Sequence, residues 1–291
     1  MTRQEASAQI GQREFTIGEI LKLSAGVFFE NIGKWLLLSL IVYLPTGFVL
    51  QLVAMNLPLE DLMNAAVAGE TAALAHMDWT PYLIYYGMQI GMSLIWVLVN
   101  LATAIYTDRW LQASRPAYSF GETFLGAIRR WPAGMVTAAV LFLCVVLLVT
   151  MMMFVAVTAL PLIMILMVGF IMLLLAVYYI SLSVTALRGK MGISAYRYAA
   201  VVVRRRIGKT VGLVLLMMLI NMALSYVLSA LSSSFGLLAG NIWIFSLISA
   251  LVSVIANLPM AFMGIGVTVY FINQEQLGQP GSVFGQLPGG F

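Results

Sequence analysis

The 15 Lys and Arg residues of this chain fall into three blocks that alternate with apolar runs long enough to cross a bilayer. Arg3, Arg13, Lys22 and Lys34 precede the first run, and Arg109, Arg115, Arg129 and Arg130 lie between the second and third. Arg188, Lys190, Arg197, Arg204, Arg205, Arg206 and Lys209 lie between the fourth and fifth. The connections on the other side carry none. Short cytoplasmic loops retain Lys and Arg during insertion, so this one-sided pattern predicts six crossings with both termini in the cytoplasm. Only 9% of the residues are charged and 62% are hydrophobic, against about a quarter charged in soluble domains. A soluble fold is excluded.

Crossing ~30 Å of hydrocarbon takes about 20 residues at 1.5 Å each. That places crossings near 35–55, 81–106, 133–158, 162–187, 210–231 and 241–271. The uncharged stretch 133–187 is too long for one crossing and must fold back, with Leu160-Pro161 the best apex. The last run is also overlong; Pro259 is expected to kink it, and Gly264 and Gly266 to loosen it. The only sizeable far-side segment, Asn56 to Thr80, holds Glu60, Asp61, Glu70, His76 and Asp78, with an Ala-rich stretch at 64–74 suited to a short surface helix. Residues 1–14 read as a polar N-terminal tail, and the first apolar run lies too far in for a cleaved signal peptide. Residues 277–291, rich in Gly and Pro, read as a flexible cytoplasmic tail.

Between the tails, 15–276 is expected to form one membrane domain of three units, about 15–110, 117–188 and 190–273. Each opens with a basic segment of helical apolar spacing: Ile17, Ile20, Leu21, Val27, Phe28; Phe120, Phe124, Ala127, Trp131; and Ile193, Tyr196, Ala200, Val203, Ile207. Ile17-Gly18-Glu19 is echoed by Phe120-Gly121-Glu122, and Ile32-Gly33-Lys34 by Ile207-Gly208-Lys209. The predicted fold is therefore all-α: a polytopic bundle of six transmembrane helices, with three cytoplasmic interfacial amphipathic helices and a threefold internal repeat.

FTIGEILKLSAGVFFENIGKWLLL near the start, ISAYRYAAVVVRRRIGK before the fifth crossing and VTVYFINQE at the end of the sixth resemble the glycerophosphoryl diester phosphodiesterase membrane-domain family. The likeness runs from about Phe15 to Gln276. It implies a six-helix bacterial inner-membrane protein. In the members that give the family its name, the bundle is fused to a soluble phosphodiesterase barrel. That barrel needs Glu, Asp and paired His ligands, whereas this chain has a single His, so the activity does not carry over.

Chemistry-bearing constellations are sparse. His76 stands alone, with Asp78 the nearest carboxylate, and reads as a surface histidine rather than a metal ligand. Gly208-Lys209-Thr210 lacks the earlier glycine of a phosphate loop, since position 203 is Val. The 19 methionines have no Cys or His companions at regular spacing and suit packing. Cys144 has no disulfide partner.

The predicted hydrocarbon cores contain no Asp, Glu, Lys, Arg or His, which disfavours ion-coupled transport. They do hold neutral polar stripes: Gln89, Ser93 and Asn100; Asn221, Ser225 and Ser229; Ser249, Ser253 and Asn257. These suit helix packing or, alternatively, a polar lining, and Gly87 with Gly91 forms a GxxxG contact motif. Arg129, Arg130, Arg197, Arg204, Arg205, Arg206 and Lys209 are candidate contacts for anionic lipid headgroups. A lipid-modifying enzyme would have to gather cytoplasmic carboxylates such as Glu19, Glu30, Asp108 and Glu122 in one pocket.

No cofactor, metal or nucleic-acid partner is expected. The leading expectation is a non-enzymatic bacterial inner-membrane protein that organises lipids or partner proteins, with homo-oligomerisation open. The alternative is a conduit or carrier for a lipid or small neutral solute through the bundle.

Overall fold

The computed structural model describes residues 3–57, 78–112, 119–155, 160–236 and 242–277. Among them are ten helices and no strand: α1 (Arg3–Gln9), α2 (Ile17–Glu30), α3 (Ile32–Met55), α4 (Thr80–Leu111), α5 (Phe120–Val155), α6 (Leu160–Arg188), α7 (Ile193–Arg205), α8 (Ile207–Gly236), α9 (Ile242–Ala256) and α10 (Leu258–Leu277). Six stretches are long and apolar enough to cross a membrane: Ile32–Ala54, Thr80–Leu111, Phe120–Leu148, Val168–Arg188, Ile207–Val227 and Trp243–Leu277. The chain has the architecture of a multi-pass membrane protein. Arg115, His76, the Ala-rich 64–74 stretch, most of the far-side segment and 278–291 lie outside the described residues.

The last of these stretches is two helices rather than one kinked helix. Pro259 has no N–H, and the Met260 N–H bonds Asn257 O at 3.1 Å. The Ala256 carbonyl is thereby left without its helical donor, and the Ser225 hydroxyl of α8 donates to it at 3.1 Å. Inside a bilayer such a freed backbone group needs a protein partner, because no water is present to take its place. Proline near a helix start is tolerated, so α10 begins where α9 stops.

α10 is the axis of the molecule, packed against α2, α4, α6 and α8. Its residues from Met263 to Glu275 are all buried. Gly264 and Gly266 are close-approach positions rather than loose joints. A Cβ at Gly264 would sit 2.4 Å from Thr103 Oγ1, and one at Gly266 2.0 Å from Met217 Cε.

The basic segments end the helices at one end of the bundle, where α4, α5, α6 and α8 have their cation-bearing termini. There Arg3 donates to the Trp110 carbonyl at 2.5 Å, Lys34 reaches Tyr106 Oη at 2.9 Å, and Arg130 bonds the Thr185 carbonyl at 3.1 Å. The polar N-terminal tail docks here: α1 lies against α4, and Ala6 and Ile10 are buried, as is Phe15 just beyond it.

Two of the three basic segments are separate helices, α2 and α7, which end at Asn31 (φ −125°, ψ 22°) and Arg206 (φ −146°, ψ 57°). The middle one is not. It runs straight into its crossing as the 36-residue α5, with Pro132 absorbed inside the helix. The echo between the first two segments has a local cause, since both open with a capping box. The Glu19 carboxylate accepts from the Thr16 N–H at 2.8 Å and the Thr16 hydroxyl from the Glu19 N–H at 3.3 Å, and Glu122 with Ser119 does the same at the same distances. α7 starts at Gly192 with no side-chain cap.

Candidate functional site

The richest polar chemistry in the described residues lies where α10 leaves the bundle, at its basic end. Each polar side chain from Thr268 to Glu275 is buried and finds a partner on a different segment. The Thr268 hydroxyl pairs with Ser183 of α6 at 3.1 Å, and Tyr270 Oη with Thr210 of α8 at 2.6 Å. Asn273 accepts from the Phe15 N–H at 3.0 Å and donates to the carbonyls of Ile10 and Arg13 at 2.7 and 2.9 Å. Gln274 donates to Glu14 Oε1 at 3.3 Å.

Glu275 is 3% exposed and binds the Arg188 guanidinium through both oxygens, with Nε to Oε1 at 2.7 Å. Tyr198 of α7 donates to the same carboxylate at 2.6 Å. Burial, followed by this carboxylate acceptor, pushes the Tyr198 phenol well above its ordinary range. A bidentate Arg pair plus a phenol fills the acceptor sites of an otherwise costly buried charge.

Glu14 gathers two of the cations expected to face lipid. Lys209 lies 2.6 Å from Glu14 Oε1 and also donates to the Phe15 carbonyl, and Arg206 is 3.3 Å from Oε2. The Lys209 hydrogen bond holds the Glu14 carboxyl below its usual range. Nearby, Arg13 bonds Glu19 at 2.5 and 3.1 Å and, with Thr16, lowers that carboxyl to about 2.

Next to this polar seam, a cleft of about 520 Å³ opens between the ends of α4 and α6 and the start of α5. Asp108, Glu122, Arg129 and Arg130 line it, with Ile105, Leu125, Gly126, Ala186 and Leu187 forming its apolar wall. Asp108 is steadied by Gln112 Nε2 at 3.0 Å, Glu122 by Ser119, and Arg130 by the Thr185 carbonyl.

Of the remaining candidate lipid contacts, Arg129, Arg197, Arg204 and Arg205 are exposed. The four carboxylates named from sequence are only partly gathered. Asp108 and Glu122 share the cleft, Glu30 instead accepts from Trp110 Nε1 at 3.2 Å, and Glu19 serves as a cap. No group of three or more His, Cys, Asp or Glu among the described residues is placed to hold a metal ion.

The neutral polar stripes are largely local. Asn100 bonds the Trp96 carbonyl at 3.2 Å, Gln89 the Tyr85 hydroxyl at 2.9 Å, Ser253 the Ser249 carbonyl at 2.9 Å and Asn257 the Ser253 carbonyl at 2.7 Å. Ser225 closes the α9–α10 break, whereas Asn221 is buried with its Oδ1 unpartnered among the described residues. Gly87 and Gly91 make no close helix contact among the described residues: a Cβ at either would meet nothing within 4 Å, and Gly91 borders an apolar groove of about 320 Å³ between α3 and α4.

Sequence reasoning missed Asn273, Glu275 and Glu14. The run Asn273-Gln274-Glu275 reads as a helix emerging into water, and only the burial of its neighbours shows it to be internal. Comparison with protein-family models, with curated proteins and with solved structures finds no match for this chain.

Proposed function

We propose that this chain is a non-enzymatic protein of a bacterial inner membrane, with its basic end and both termini cytoplasmic, that organises lipids or partner proteins from that face. The observation that carries this reading is the contrast between centre and rim. The axial helix α10 is packed on all sides and its polar side chains are spent on internal partners, while Arg129, Arg197 and Arg204 point outward.

Exposed apolar side chains accompany these cations at the ends of the short helices: Phe29, Ile32, Met191, Ile193 and Ile207. α2 buries Ile20, Leu23, Val27 and Phe28 against the bundle, and α7 buries Ala195, Ala199, Val202 and Val203. An apolar rim beside Lys and Arg suits helices lying in the headgroup region, where anionic lipid adds to apolar insertion. The one-sided cations support the orientation, and the family resemblance supports the bacterial setting.

Purification in mild detergent with mass spectrometry of co-purifying molecules tests this reading. A reproducible stoichiometric protein partner or an enriched lipid class is expected; recovery of the bare chain with bulk lipid would defeat it.

One observation favours the conduit instead. Trp35 Nε1, Ser39 Oγ and Tyr43 Oη recur every fourth residue on one face of α3, each buried and without a hydrogen-bond partner among the described residues. Flux of a small neutral solute in proteoliposomes, abolished by Ser39→Leu, would establish that reading.

A further inference from the structure

We infer that the cleft between α4, α5 and α6 holds the phosphoethanolamine headgroup of a membrane lipid, its phosphate on Arg129 and Arg130 and its ammonium on Asp108 and Glu122. This deepens the proposed lipid-organising role and rests on it. Four charged side chains face one cleft, yet no carboxylate and guanidinium among them approach within the 4.0 Å of an ion pair. Two cations and two anions that converge without neutralising one another leave room for a ligand that carries both signs.

The positions are prepared. Asp108, Glu122 and Arg130 are each held by one neighbouring group and keep further hydrogen-bonding capacity, while Arg129 makes no hydrogen bond or ion pair among the described residues. The volume, about 520 Å³, falls in the range of about 300–1,000 Å³ typical of small-ligand sites.

The same chemistry rejects the competing headgroups. Asp108 and Glu122, which also lie in the field of Arg109 and, for Asp108, of Arg188, can accept from the ammonium that phosphatidylethanolamine carries and the uncharged glycerol of phosphatidylglycerol lacks. A primary ammonium donates hydrogen bonds to carboxylates, whereas the quaternary ammonium of choline has none to donate and favours aromatic faces. Among the described residues the cleft is lined by no aromatic ring. Ile105 and Leu125 form an apolar edge, with Leu125 57% exposed, which suits the first carbons of an acyl chain and favours a lipid over the free headgroup.

Native mass spectrometry of the full chain in mild detergent tests this, with equimolar phosphatidylethanolamine, phosphatidylglycerol and phosphatidylcholine of matched chains. The wild type should retain phosphatidylethanolamine about tenfold over either competitor, the factor expected of a charged hydrogen bond. Glu122→Gln and Asp108→Asn should each bring the ethanolamine-to-choline ratio toward one. Arg129→Gln should weaken all three lipids together. Glu122 is exposed, so its variant keeps the test valid if Asp108→Asn does not fold, as judged by thermal unfolding.

Equal retention of the three lipids by the wild type, or a ratio unmoved by Glu122→Gln, would overturn the proposal. Binding of soluble glycerophosphoethanolamine without phosphatidylethanolamine would overturn the assignment to a lipid. A selective phosphatidylglycerol preference would overturn this site alone and leave the organising role standing.

Discussion

α9 and α10 are two halves of one apolar run, yet they have opposite fates. α9 lies against α3 and α8 and turns Trp243, Ile244, Leu247, Leu251 and Ile255 outward, while α10 is enclosed along nearly its whole length. Hydrophobicity does not separate them, because lipid and protein interior are equally apolar solvents for Leu or Ile. Small residues and polar partners do. α10 brings Gly264 and Gly266 to the helix contacts and ends in side chains that each bond another segment, and close approach with interhelical hydrogen bonding is what drives association in membranes.

The most severe test of this difference is Asn273→Ala. Its side chain ties Phe15, Ile10 and Arg13 to α10, and truncation leaves three main-chain groups without this partner, two of them in buried bonds and one in a partly buried bond. Unfolding in mixed micelles should show a loss of about 3 kcal/mol. Leu251→Ala on the outward face of α9 should cost no more than about 0.5 kcal/mol. Equal losses would show that the two halves do not differ as described.

Gly264→Val should come next, at about 2 kcal/mol. The added Cβ would meet Thr103, a stiff β-branched residue that is fully buried and bonds the Asn100 carbonyl at 2.9 Å. Gly266→Ala should be milder despite its shorter contact, because the obstructing atom is the flexible end of Met217. Thermal midpoints of the two variants check the order.

Acid should loosen the N-terminal strap before the crossings. Glu14 and Glu19 titrate below their usual 4.5 in the folded protein, Glu19 near 2, so the unfolded chain binds protons more readily. Their contribution is complete above about 4.5 and is lost as pH falls toward 2. Hydrogen exchange at Ile10 to Phe15 should therefore rise across that window while α9 is unchanged. Exchange independent of pH, after correction for the intrinsic rate, would refute this coupling.

Much of the architecture was legible because membrane insertion obeys coarse rules. Twenty apolar residues are long enough to cross, and cations mark one side; each of the six predicted crossings overlaps one of the six observed stretches, though most of their ends differ by several residues. What was not legible depends on neighbours. Asn31 and Arg206 break the chain after their basic segments while Pro132 does not, although proline is the stronger breaker in isolation. Asp108, Glu122, Arg129 and Arg130 were each named as candidates, but the two carboxylates and the two guanidiniums were not read as one group, because Asp108 reaches the cleft from a different helix than the other three. Glu14 and Glu275 were overlooked since their partners, Lys209 and Arg188, are distant in sequence.

A small effect is expected at the joint between the two halves. Ser225→Ala removes the hydroxyl that satisfies Ala256, and interhelical bonds of this kind are worth about 0.6 kcal/mol. The loss should depend on the break itself. In Pro259→Ala the restored N–H lets the helix continue through Asn257, returning Met260 N–H to the Ala256 carbonyl and leaving Ser225 nothing to do. The double-mutant cycle should then show a coupling of about 0.6 kcal/mol, with Ser225→Ala silent in the Pro259→Ala background. Additive losses would mean that Ser225 stabilises the α8–α9 packing by contact alone, and that the break is set by tertiary packing rather than by the missing proline donor.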